Sequence, residues 1–147
     1  MSRVAQQARN WIGPPYKHRA SVRGAGADCL GLVLGVWREL GGRPCLELPA
    51  YAPGWQECCP QERLWQELQT QLNPSERQIL PGQIALLRMR DGAAARHLGI
   101  LSGTWRSPRL VHAYSGRGVV ESILAKPLRR RIVARFRLPL EVETWRQ

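Results

Sequence analysis

Apolar residues recur along this chain with two different periods, and the change between them divides it. Cys29, Leu32, Val33, Val36 and Leu40 fall at the spacing of one helix face. Asp28 is a good N-cap immediately before them, and Gly41-Gly42 follows where a left-handed C-cap is expected, so a central helix is predicted from Asp28 to Leu40. A shorter helix is predicted from Arg3 to Ile12, stopped by Gly13-Pro14-Pro15, and another from Pro60 to about Leu72 with Leu64, Trp65, Leu68 and Leu72 as its stripe. Beyond Pro81 the period falls to two. Strands are predicted near Gln83 to Met89, Arg96 to Leu101, Arg109 to Tyr114, Val119 to Ile123 and Arg129 to Leu138. Helices followed by antiparallel strands make an α+β chain in which the sheet lays one face on the central helix.

The 147 residues suit a single domain, 1–147, with no repeat or linker and enough core to stand without disulfides or metals. The loop from Gly42 to Cys59, rich in Pro, Gly and Trp, is long enough to be functional or partner-bound. No segment reaches the length of a membrane span, and the first ten residues lack the apolar core of a signal peptide, so a chain made in the cytoplasm is expected.

The chemistry centres on Cys29. At a helix start the unpaired N–H groups favour thiolate over thiol and point at any oxyanion formed by attack of that sulfur; the bland alternative is a small buried hydrophobe. Asp28 reads first as the cap, since its charge would oppose a thiolate. Two of the three histidines, His97 and His112, lie near the middle of consecutive strands. Alternation places His97 with Gly99 and Leu101, and His112 with Leu110 and Tyr114, faces from which both rings are expected to project toward a helix packed on the sheet. A neutral imidazole can take the thiol proton while a third polar group holds the ring. His18, in a basic turn-like stretch, reads as an exposed loop residue. With Cys29 set aside, Cys45 and the vicinal Cys58-Cys59 form an odd set without metal-finger spacing; loop or half-buried thiols are favoured over a metal site, and no cofactor is expected.

Five segments together resemble the NlpC/P60 papain-like cysteine peptidases of bacterial cell walls: Trp11-Ile12-Gly13-Pro14-Pro15-Tyr16, Ala27-Asp28-Cys29-Leu30-Gly31-Leu32-Val33, Leu80-Pro81-Gly82-Gln83-Ile84-Ala85-Leu86-Leu87, Arg96-His97-Leu98-Gly99-Ile100-Leu101 and Leu110-Val111-His112-Ala113. The stretch Tyr16 to Gly24 is most similar to the branch found in phage and gene transfer agent tail clusters. The resemblance implies a papain-like fold, Cys29 as nucleophile, His97 as general base, His112 as the orienting third member, and Tyr16 beside the Cys29 N–H as oxyanion or substrate support. It also implies peptidoglycan stem peptides as substrate, cut between D-glutamate and a diamino acid, and tail hub or baseplate proteins as partners of a particle acting in the periplasm. Leu30 stands where the family commonly has serine, and Lys17-His18-Arg19 replaces a usual glycine pair. The first should pack; the second would lie near the groove or at a partner interface.

Charge adds a partner. The net +11 comes almost entirely from arginine, which implies something acidic. The densest run, Arg129 to Arg137, reads as a strand with Ile132, Ala134, Phe136 and Leu138 inward and Arg131, Val133, Arg135 and Arg137 outward, either a solvated face or a docking surface. No nucleic-acid-binding motif accompanies the charge. The alternative to an enzyme is a structural tail component that keeps the peptidase fold with little or no activity.

Overall fold

The computed structural model describes residues 2–13, 21–22, 26–44, 62–76, 78–114 and 117–140, and in it the change of period becomes a change of layer. Among the described residues three helices, α1 (Arg3–Arg9), α2 (Cys29–Glu39) and α3 (Arg63–Gln71), precede most of the sheet, with a two-residue ladder of β1 (Ser21–Val22) and β2 (Gly26–Ala27) before α2. The sheet comprises β3 (Asn73–Pro74), β4 (Ile84–Leu87), β5 (His97–Gly103), β6 (Pro108–Tyr114), β7 (Gly118–Ile123) and β8 (Ile132–Arg137), with a one-turn helix α4 (Lys126–Arg129) before β8. Its spatial order is β3-β8-β4-β5-β6-β7, and every neighbouring pair is antiparallel.

Both ends of α2 are set by local chemistry. Asp28 Oδ1 accepts the Gly31 N–H at 2.6 Å. At the other end Gly42 N–H donates to Trp37 O at 2.9 Å and Gly41 N–H to Arg38 O at 3.0 Å, with Gly41 at φ 90°. That is a Schellman close, available to Gly41 because it lacks a Cβ. Ser2 caps α1, which ends at Arg9 rather than at Ile12. Glu39 then ties the two helices together, accepting from Trp11 Nε1 at 2.6 Å and Gln7 Nε2 at 2.8 Å.

The sheet is apolar on both faces. On one, Leu86, Leu98, Ile100, Val111, Ala113 and Phe136 pack with Leu32, Val33 and Val36 of α2 and Leu64 and Leu68 of α3. On the other, Ala85, Leu87, Leu101 and Leu110 pack with Leu124, Ile79 and Leu128. Gly99 lies on this second face. A Cβ there would meet Leu110 Cδ1 at 2.5 Å, and Leu110 is fully buried. Gly99→Ala is therefore expected to destabilise the fold by about 1–3 kcal/mol, measured by urea unfolding; an unchanged midpoint would mean that Leu110 moves aside freely.

Strand β8 departs from the simple alternation. Leu86 pairs with Ala134 but Leu87 pairs with Ile132, so the register skips Val133 in a bulge. Ile132 consequently packs on the second face, while Val133, Ala134, Phe136 and Leu138 pack on the first. The outward arginines are also not uniformly free. Arg131 donates to Met89 O at 2.6 Å, and Arg135 donates to Gln83 Oε1 at 3.0 Å. Burial, and then the nearby Arg129 charge, hold the Arg135 guanidinium below its ordinary range. Arg129, Arg130 and Arg137 are exposed.

Candidate active site

Cys29 occupies the first position of α2 and is 6% exposed. Its thiol donates to Arg96 O at 3.6 Å, the carbonyl one peptide unit before His97, and its sulfur accepts the N–H of Leu98. The sulfur thus meets the backbone of β5 on both sides of His97.

How the thiol gets there follows from the ladders. Leu101 exchanges its main-chain bonds with Gly82 and Gln83 on the β4 side, so alternation turns the main-chain groups of Leu98 and Arg96 toward β6. The ladder between β5 and β6, however, begins only at Ile100↔Val111. Cys29 satisfies main-chain groups at this end, where β6 runs on to Tyr114 but its ladder with β5 is not formed.

His97 and His112 do lie on the faces that alternation assigns them, with Leu101 and Leu110 respectively, but α2 packs on the other side of the sheet. The expectation that both rings project toward a helix covering their face is therefore corrected. The open end of the β5–β6 ladder is what brings the start of α2 to the His97 strand.

The two imidazoles meet each other. His97 Nε2 and His112 Nδ1 are 2.7 Å apart, with the rings edge-on at 71° and centroids 5.0 Å apart. His112 is 1% exposed, and its Nε2 lies 2.9 Å from Ser122 Oγ on β7. Tyr114 closes the cluster, its ring centroid 5.0 Å from His112 and 5.9 Å from His97. Nε2 of His97 is thus engaged by His112, while the Cys29 sulfur meets the backbone on either side of His97 rather than its ring.

The protonation states are those of a neutral pair. Burial first, and the Asp28 charge second, push the Cys29 thiol up to about 12, against the opposing pull of the N–H groups of Leu98, Leu30 and Cys29 itself. Burial, then the neighbouring His112, lowers His97 to about 3, and burial lowers His112 to about 4. The expected preference for thiolate at the helix start is thus overturned in this resting site. Losing solvent costs the charged sulfur more than three N–H groups return. Asp28 both caps the helix and opposes the thiolate.

Three contributors were not evident in the sequence. Ser122 carries no motif, and only the register of β7 against β6, Leu110↔Ser122 and His112↔Val120, puts it diagonally beside His112 on one face. Glu62 binds the approach to β5, pairing with Arg88 and accepting the Ala95 N–H at 2.7 Å. Tyr114 ends a strand already predicted, and its ring contacts required both histidines to be placed first. Tyr16, Cys45, Cys58, Cys59, His18 and most of the loop from Gly42 to Cys59 lie outside the described residues. Among the described residues no cluster of His, Cys, Asp or Glu could hold a metal ion, and no helix is long and apolar enough to cross a membrane.

Comparison with solved structures decides the architecture. A crystal structure from Staphylococcus aureus, of a protein similar to a lipoprotein and of the NLP/P60 family, superposes with a TM-score of 0.58 over 92% of this chain, at 18% identity. The chain has the NlpC/P60 fold. It is α+β and papain-like, with a cysteine-bearing helix start set against a central strand of an antiparallel sheet. This chain spans 40% of the staphylococcal protein's length. No family model matches the sequence, and no curated protein is significantly similar to it.

Proposed function

We propose that this chain is a cysteine peptidase of the NlpC/P60 type that hydrolyses peptidoglycan stem peptides, at a bond between D-glutamate and a diamino acid, as part of a phage-like tail that opens the cell wall. The observation that carries this reading is the meeting of a helix-start thiol with the backbone around His97, whose ring is hydrogen-bonded to a buried second imidazole. Because thiol and imidazole rest neutral, His97 acts as a general base at the moment of attack, and no ion pair is formed in advance.

The thiol proton passes to His97 Nδ1 as the sulfur bonds to the amide carbon. The carbonyl electron pair moves onto oxygen, where the helix-start N–H and Tyr16 receive it. Collapse expels the amine, which takes its proton from His97 and leaves a thioester on Cys29. Water, deprotonated by the same nitrogen, adds to the thioester carbon and releases the acid and the thiol. His112 holds the His97 ring throughout. Exposed Arg129, Arg130 and Arg137 supply an edge for an acidic tail partner.

The experiment is digestion of purified sacculi followed by mass spectrometry. The expected products are stem-peptide fragments, each cut adding one water, with a new amino end on the diamino acid. Release of glycan fragments alone would refute the reading.

A second reading is favoured by the burial of the thiol and its rise to about 12: a tail component that keeps the fold in an occluded state. It predicts intact sacculi and co-purification of the chain with hub or baseplate proteins.

A further inference from the structure

We infer that Ser122 is a positioning residue that keeps the His97–His112 pair in the tautomer able to accept a proton from Cys29. The inference rests on the hydrolase reading for its effect on catalysis, though the tautomer itself does not. His112 Nδ1 faces His97 Nε2 at 2.7 Å, and His112 Nε2 faces Ser122 Oγ at 2.9 Å, so three groups form one line of hydrogen bonds. A line of this kind has two directions. In the productive one His97 carries its hydrogen on Nε2, donates to His112 Nδ1, and leaves its own Nδ1 bare for the thiol proton. His112 must then carry its hydrogen on Nε2 and donate it to Ser122 Oγ. In the reverse direction the serine donates, both imidazoles carry hydrogen on Nδ1, and His97 has no lone pair to offer the thiol.

A hydroxyl serves both directions by rotating, so the pair can adopt the productive one without leaving a buried group unsatisfied. An alanine cannot. With His112 1% exposed, the productive direction would then bury an N–H with no acceptor, whereas the reverse leaves only a bare nitrogen lone pair. Buried orphan N–H groups are the rarer and costlier of the two. Removing the hydroxyl therefore drives the rings toward the tautomer that cannot act as a base.

The neighbouring residue on the strand anchors β7. Glu121, one position earlier and on the opposite face, accepts from Ser102 Oγ at 2.7 Å and pairs with Arg9 at 2.9 Å. These bonds pin β7 to the first face of the sheet and to α1, which fixes where Ser122 points on the second.

The test is long-range 1H–15N correlation on histidine-labelled protein, with His18→Gln to leave the two rings alone in the spectrum. In the parent, His97 and His112 should both show hydrogen on Nε2. Ser122→Ala should move His112 to hydrogen on Nδ1 and lower kcat on a stem peptide by about 10- to 100-fold with KM little changed. Ser122→Thr, which keeps the hydroxyl, should restore both. Nδ1-protonated rings in the parent overturn the inference without any variant. So does a His112 tautomer unaltered in Ser122→Ala. A tautomer shift in a protein that digests no peptide would support the placement of Ser122 and refute only the hydrolase reading.

Discussion

Cys29→Ala is expected to release no stem-peptide product from purified sacculi above background, a loss on the order of ten-thousandfold or more, because the variant has no atom that can form the acyl-enzyme. Folding should change far less. The substitution removes a sulfur that donates to Arg96 O and accepts from Leu98 N–H, at a site 6% exposed, and the cost of a weak hydrogen bond and a small void is about 1 kcal/mol. Circular dichroism and urea unfolding give the folded control. Digestion by the variant at the parental rate would remove Cys29 from the chemistry.

Alkylation of Cys29 by iodoacetamide is expected to be about a thousandfold slower at pH 7 than that of an ordinary thiol, and to rise about tenfold per pH unit until the pH approaches 12. Only the thiolate reacts, and burial with the Asp28 charge moves the thiol from 9.0 to about 12. A form with Cys45, Cys58 and Cys59 changed to serine isolates the signal. Asp28→Asn keeps a side-chain oxygen for the Gly31 N–H and removes the charge, so its curve should lie at lower pH than the parent's. A parental rate already at plateau by pH 8 would indicate a preformed thiolate.

Linkage gives the same groups a signature in stability. Between about 9 and 12 the unfolded chain gives up the thiol proton while the folded chain retains it, so stability declines as pH rises through that window. His97 and His112 behave oppositely. Held to about 3 and about 4, they bind protons in the unfolded chain first, so stability is lost as pH falls below 6.5. Urea midpoints measured across pH should therefore form a plateau between these limbs, and replacing both histidines with asparagine should flatten the acid one.

The elements that were legible in the sequence are those whose period is set by one buried face. The α2 pattern and its two caps, and the strands carrying His97 and His112, were readable because Leu32, Val33, Val36, Leu98, Ile100 and Val111 all face one core. Strand β8 was not readable in the same way. Its bulge at Val133 changes which face each residue meets, and a bulge is fixed by the partner strand rather than by the residues of its own. Likewise β3 and α4 are too short to declare a period.

At the site, residue types were legible and their electrostatics were not. A helix-start cysteine suggests a thiolate until its burial is known, and burial here depends on β5, nearly seventy positions downstream in the hydrogen bond to Arg96. Ser122 was invisible for a related reason: a serine acquires a partner only through register, and the β6–β7 register is a property of two strands at once.

An acyl group carried on Cys29 is visible in the intact mass of the protein, acid-quenched within milliseconds of mixing with an activated ester of a stem peptide. With such a substrate acylation outpaces hydrolysis, so the adduct accumulates. The expected result is a mass increase equal to the acyl portion, one per chain, located by peptide mapping at Cys29 and missing from Cys29→Ala. Ester turnover with no adduct at Cys29, undiminished in the Cys29→Ala chain, would contradict it.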